Sequence, residues 1–389
     1  MAAPADAPRL RAARAMIGSS VERVPTPALV LDLACAERNI AEFARRMAEL
    51  PAALRPHAKI HKSPILGRMQ LEAGAIGLTT ATVWEAAAMI EDGIDDILIA
   101  NQVVGPVKTA ELARIAAIGT VMVAVDSGAN AAQLSDAAVA AGSTIDVLVE
   151  LDVGTHRSGV RTVEGSVELA VEIDRMLGLR LRGLLGYEAH CMLEPDRALR
   201  ISKTREANGL VIRAADEFLA SGLDASVVAA GGFGTWDITG ANPRITEIHA
   251  GSYIFGDVFH RTLSPGFESA LTVQATVISR WGTMAVLDCG RKSIGIDRAV
   301  PEVVGGVGAV KIEHGEHFVH EEHTVLDVPT DSPLAVGDLV RMMPGYGPTT
   351  VNLYDLYYVV ADGLVVDVWP VLARYGSATA GVGGGVGGS

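Results

Sequence analysis

The apolar positions of this chain fall into two textures. From about Arg55 to Gly251, short aliphatic or β-branched runs alternate with Ala-rich segments whose apolar residues recur three and four apart, the spacing of one helix face. The runs read RPHAK, IGLTTA, DILIAN, TVMVAVDS, IDVLVELD, LRGLLGYE, SVVAAGG and TEIHAG. Between them lie segments such as EAAAMIEDG, KTAELARIAAIG and VELAVEIDRMLG, each ending at or near a glycine suited to stop a helix. Eight such units predict a parallel (β/α)8 TIM-type barrel. An open doubly wound sheet would carry a glycine-rich loop after its first strand, and here that strand runs into HAKIHKS. Beyond about Phe259 the long Ala-rich segments cease. ALTVQATVISR, GTMAVLDCG, KIEHGEHFVH, HTVLDV and LYYVVADGLVVDVWPVL alternate like strands between Gly, Pro and Asp turns, which predicts a smaller C-terminal antiparallel β domain, a small barrel or sandwich. An opening strand, TPALVLDL, is expected to pair with it, and a helix from about Ala34 to Ala48 follows that strand.

These textures divide the chain into an N-terminal extension over 1–24, a barrel over 25–260, a β domain over 261–374 and a disordered Gly-rich tail over 375–389. Composition agrees with an α/β class: 49% hydrophobic and 20% charged is the mix that parallel strands covered by helices require. A formal net charge of -14 with no dense basic stripe argues against a nucleic-acid partner. No stretch reaches membrane-spanning length without charges or glycine, and the first residues lack the apolar core of an export signal. Cys35, Cys191 and Cys289 are far apart and odd in number, suggesting neither a disulfide framework nor a Cys-paired zinc site. A soluble, cytoplasmic protein is expected.

Barrel enzymes place reactive groups on the loops after their strands. Strand one ends at Lys59; Asp152, His156 and Arg157 follow strand five, and Tyr187 and His190 follow strand six. Gly231, Gly232, Gly234 and Thr235 come after strand seven, and Gly251, Ser252 and Tyr253 after strand eight. Loops after strands seven and eight commonly form a phosphate cradle, and GGFGT supplies close backbone approach plus a hydroxyl. The chain has six lysines, and one directed into a barrel mouth is costly to desolvate unless its amine has a task such as imine formation. Lys62, by contrast, reads as a surface lysine. A phosphate cradle together with such an amine points to pyridoxal phosphate.

RPHAKIHK, LDVGTHRSGV, GYEAH, GGFGT and EIHAGSY together resemble the fold-type III pyridoxal-phosphate enzymes, and more narrowly the D-threonine aldolase and D-serine dehydratase family, from roughly Thr26 through Trp369. The resemblance implies that Lys59 carries the cofactor, that Arg157 approaches its phenolic oxygen, and that Tyr187 lines its face. It also implies that Gly232, Gly234, Thr235, Gly251, Ser252 and Tyr253 hold the phosphate. A small amino acid substrate and a homodimer with a shared active site are further implications.

The chain departs from the family at one place. Metal-dependent members carry a His and an Asp or Cys two residues apart before a segment like TVNLYD, whereas this chain reads PGYGPTTVNLYD. Tyr346 and Pro348 occupy the two ligand positions, and proline has no side-chain donor atom. No metal is expected there. The run KIEHGEHFVHEEH, with His314, His317, His320 and His323 among Glu313, Glu316, Glu321 and Glu322, reads as a solvated charged strand or hairpin, with His323 the member favoured by the resemblance if one acts in the site.

The reaction expected is retro-aldol cleavage of a D-3-hydroxy amino acid to glycine and an aldehyde, with His190 or Tyr346 taking the β-hydroxyl proton. Dehydration of the same substrates is a close variant. Tyr346 opposite Lys59 would instead permit racemisation, which needs a base on each face of the α-carbon. For Tyr346 the alternative is a ring packed under its turn, and for His190 a loop histidine bonded to backbone. A non-catalytic cofactor carrier or an inactive homologue is the remaining alternative.

Overall fold

The computed structural model describes residues 8–305 and 319–374, in two units. The first strand, β1 (Ala28–Asp32), lies within the span drawn for the barrel but belongs to the second unit. The first unit comprises Ala41–Lys59 and Pro64–Gly251. Its strands are β2 (Ala53–Leu54), β3 (Leu78–Thr80), β4 (Asp96–Ile99), β5 (Thr120–Val125), β6 (Ile145–Glu150), β7 (Leu179–Gly186), β8 (Val227–Ala230) and β9 (Glu247–Ile248). They form an eight-stranded parallel sheet in the order β2-β9-β8-β7-β6-β5-β4-β3. A parallel bridge between His57 and Thr79 joins its two ends and closes it. The expected barrel is therefore present.

The strand patterns explain the closure. Leu98, Met122, Ala124, Leu148, Leu185, Val227 and Ala229, drawn from five successive strands, form one buried apolar cluster, and in register Leu98 faces Met122 and Ala124 faces Leu148. The return helices begin where a side chain can receive their free N–H groups: Thr82 Oγ1 accepts from Glu85 N, Ser127 Oγ from Asn130 N and Thr162 Oγ1 from Gly165 N. RPHAK is not itself the first barrel strand: β2, Ala53–Leu54, lies just before it and only His57 makes a bridge, because Pro56 has no N–H for the ladder and Ala58–Ile60 winds into a 3-10 turn.

The second unit comprises residues up to Ile40, Ile60–Ser63 and residues from Ser252 onward. Its strands after β1 are β10 (Leu271–Trp281), β11 (Met284–Leu287), β12 (Glu302–Gly305), β13 (Thr324–Asp327), β14 (Leu339–Met343), β15 (Leu356–Ala361) and β16 (Leu364–Pro370). They run in the order β12-β14-β10-β1-β15-β16, with β11 beside β10 and β13 beside β11. All pairs are antiparallel except β1 with β15, so TPALVLDL joins this sheet and makes it mixed. Asp362 and Gly363, at φ 50 and φ 76, make the two-residue turn joining β15 to β16. No helix among the described residues is long and apolar enough to cross a membrane.

Candidate active site

At the carboxyl end of β2, Lys59 sits in the 3-10 turn. Burial lowers the pKa of its amine below that of an ordinary lysine, the positive Arg157 lowers it further, and Glu85 works the other way. Such an amine loses its proton more readily and becomes a nucleophile. Glu85 is itself fixed by its helix terminus, where Oε2 accepts from Ala81 N at 2.7 Å. Lys62 corrects the sequence reading. It is only 5% exposed, takes a left-handed φ of 48°, and through its carbonyl accepts from Leu372 N at 2.9 Å in the second unit.

Arg157 lies 3.9 Å from Glu150 Oε1, with its guanidinium 5.9 Å from the centre of the Tyr187 ring. Glu150 accepts from Ser158 Oγ at 3.0 Å and from Gln102 Nε2, and burial foremost raises its pKa. Asp152 shapes the loop that carries Arg157, accepting the N–H groups of Gly154 and His156 at 3.0 Å each and pairing with Arg161. Burial opposes its ionisation, yet these donors hold its pKa down at about 2. His156 is exposed, at φ 55, with Nδ1 3.1 Å from Asp152 Oδ2.

The loop after β8 is built for close approach. A Cβ on its Gly232 would lie 2.8 Å from Tyr187 Cε2; after β9, a Cβ on Gly251 would likewise overlap the His57 carbonyl oxygen. Gly234 lies in the turn leading to the short helix Trp236–Thr239. Thr235 is buried, and its hydroxyl donates to Glu188 Oε1 at 2.8 Å, so its proton points into the protein. Ser252 and Tyr253 open a 3-10 turn of the second unit, where the Tyr253 ring packs 6.4 Å from Phe267.

His190 follows β7 in the short helix Ala189–Met192. The Thr155 hydroxyl donates to the Tyr187 carbonyl at 2.7 Å, so its 3.4 Å contact with His190 Nδ1 must run from the ring N–H to the hydroxyl. That leaves the lone pair on Nε2, 3.4 Å from Cys191 Sγ. In this tautomer Nε2 is an acceptor, facing the Cys191 thiol.

In the second unit, Tyr346 stacks on His260, with ring centres 5.4 Å apart at 26°, and meets the edge of Phe259 at 6.0 Å. His260 Nδ1 is 2.8 Å from both carboxylate oxygens of the buried Asp257, whose Oδ2 also accepts from Gly347 N at 2.7 Å. Burial raises the Tyr346 pKa, so the side chain remains a phenol. The Asp257 carboxylate is occupied by His260 and the Gly347 N–H, the His260 ring is stacked against Tyr346, and Pro348 offers no side-chain donor. This set does not fit a divalent cation, and among the described residues no cluster of three or more His, Cys, Asp or Glu could hold one. His320, Glu321, Glu322 and His323 form an exposed turn in which His320 N donates to His323 O at 2.7 Å. His314, His317, Glu313 and Glu316 lie outside the described residues, as does the tail over 375–389.

Lys59, the acid-braced Arg157 and a glycine loop that admits no Cβ fit a phosphorylated aldehyde cofactor. The family of the alanine racemase N-terminal domain matches residues 31–258. This chain belongs to that family. The family is one of fold-type III pyridoxal-phosphate enzymes, and a serine dehydratase domain matches residues 270–360. The D-threonine aldolase of Arthrobacter sp is 36% identical over 363 residues, covering 92% of this chain and 94% of the aldolase. The 3-hydroxy-D-aspartate aldolase of Paracoccus denitrificans (strain Pd 1222) is 33% identical, covering 92% of this chain and 95% of its own. The crystal structure of D-threonine aldolase from Filomicrobium marinum superposes with a TM-score of 0.87 at 32% identity, over 93% of this chain and 99% of that one. The chain is an enzyme of the lyase type.

Sequence reasoning missed Glu85, Glu150, Glu188 and the Asp257–His260 pair. For Glu188 a signal existed: an acid directly after a strand end, with Thr235 and Thr239 four apart in GGFGTWDIT.

Proposed function

We propose that this chain cleaves the Cα–Cβ bond of a D-3-hydroxy amino acid to give glycine and an aldehyde, with pyridoxal phosphate held at Lys59 and without a divalent cation. The observation that carries this reading is the desolvated amine of Lys59 beside Arg157, in a chain related along its length to aldolases. Bound there, the cofactor supplies a conjugated ring that accepts the electron pair of the breaking bond. Lys59 anchors that group, Arg157 places positive charge beside it and Tyr187 lends it a ring face. His190 Nε2 takes the proton of the 3-hydroxyl, whose oxygen becomes the aldehyde carbonyl as Cα–Cβ breaks, and one proton returns to the α-carbon to complete glycine.

Racemisation would ask Tyr346 to serve as a base, and a phenol whose pKa burial raises is poorly suited to that. The resemblance supports a homodimer, and the free Cys35, Cys191 and Cys289 support a cytoplasmic setting. The test is incubation of the purified holoenzyme with D-threonine, with and without chelator. Glycine and acetaldehyde are expected in equal amounts, unchanged by chelation to within about twofold. A keto acid with ammonia would indicate the dehydratase reaction. Exchange of the α-proton without cleavage would indicate a racemase, and chelator-sensitive cleavage would overturn the metal-free reading.

A further inference from the structure

One fully buried acid in the barrel unit has no part in the proposed chemistry. Glu188 follows Tyr187 at the end of β7 and is 0% exposed. Its Oε2 accepts the N–H of Gly231 at 3.1 Å, and its Oε1 accepts the hydroxyl protons of Thr235 at 2.8 Å and Thr239 at 2.6 Å. Both threonines pass the order onward: Thr235 Oγ1 accepts from Gly232 N at 3.2 Å, and Thr239 Oγ1 from Asn208 Nδ2 at 3.1 Å. A hydroxyl has one proton to give, so each threonine is oriented by donating to Glu188 and accepting from an amide. One carboxylate thereby holds the glycine loop at its start, through Gly231, and at its end, through the helix Trp236–Thr239.

The side chain must be an acceptor at both oxygens. A glutamine of the same size would turn an NH₂ either toward the Gly231 N–H, donor against donor, or toward the two hydroxyls, which accept it only by swinging their own protons away from Glu188, for Thr235 onto the Gly232 carbonyl at 3.4 Å. With the Thr235 proton committed inward, the backbone of this loop is what remains to meet an anion, and Glu188 sets its path.

We infer that Glu188 is the positioning residue of the phosphate loop, and that it sets how strongly the chain prefers the phosphorylated form of its cofactor to the unphosphorylated one. This rests on the pyridoxal-phosphate reading above. The test resolves the full-length enzyme of cofactor and titrates it with pyridoxal phosphate and with pyridoxal, following visible absorption, for the unaltered chain, Glu188→Gln and Thr239→Val. In Glu188→Gln the half-saturating concentration of pyridoxal phosphate is expected to rise about tenfold, equivalent to ~1.4 kcal/mol, and that of pyridoxal by less than about threefold. Thr239→Val, which removes one donor and spares the acid, is expected to shift the same ratio by a smaller factor and gives the answer if Glu188→Gln fails to fold. Equal weakening of both ligands, or no change in either, overturns the inference. Failure of the unaltered chain to take up pyridoxal phosphate would instead overturn the cofactor reading.

Discussion

The carboxyl ends of the barrel strands and the Pro344–Pro348 turn of the second unit stand in opposite relation to the family. At the barrel end, the residue types that cofactor chemistry calls for are braced from behind: Arg157 by Glu150, and the loop after β8 by Glu188. At the turn, a phenol ring lies on His260 and a proline follows two residues later, where the resemblance expects two metal ligands. The difference teaches that the two requirements are separable. Electron acceptance at the α-carbon depends on one amine and one anion loop, whereas cation binding depends on two donors at fixed spacing. On the proposed function, this chain lacks the second and keeps the first.

The sharpest way to break this contrast is Lys59→Ala. Cleavage of D-threonine should fall by at least about a thousandfold, and the visible absorption of the lysine-bound cofactor should vanish. Borohydride reduction of the unaltered holoenzyme should then label the peptide at Lys59, and a label on Lys62 would invalidate the assignment. Because desolvation depresses the Lys59 pKa, the neutral amine should predominate at a lower pH than for a free lysine. Uptake of cofactor by the resolved enzyme should therefore rise with pH and reach half its maximum below about 10.4. A midpoint at or above that value would remove the argument from burial.

His190→Gln is expected to lower kcat for D-threonine about a hundredfold with the cofactor absorption intact. A loss under about threefold would move the base elsewhere. The smallest effect belongs to the turn: Tyr346→Phe keeps the ring on His260 and removes only a neutral hydrogen-bond donor, so cleavage should fall by about tenfold at most. If this variant instead abolished α-deuterium exchange into D-alanine, Tyr346 would be a base and the contrast between the two regions would collapse.

The alternation of eight apolar runs with Ala-rich segments made the closed sheet legible, because a period of two and a period of 3.6 are both set locally. Lys59 was legible for a related reason, as a lysine at a strand end in a chain with few. The buried partners were not. Glu85 and Glu150 look in the sequence like any solvent-facing acid, and even for Glu188, whose place after a strand end was a signal, only folding shows which N–H and O–H groups converge on it. Lys62 was misread for the same reason, since only the fold shows that it is 5% exposed. The shortness of β2 and β9 escaped too, since strand length depends on which neighbours supply ladder partners.

The residues immediately after Lys59 receive their partners from very late in the chain: the His61 carbonyl accepts from Tyr357 Oη at 2.6 Å, and the Lys62 carbonyl from Leu372 N. During synthesis, these two carbonyls lack their late partners until translation has nearly finished. A ribosome-bound chain cut short before β15 would hold every barrel strand and still lack these two late hydrogen bonds.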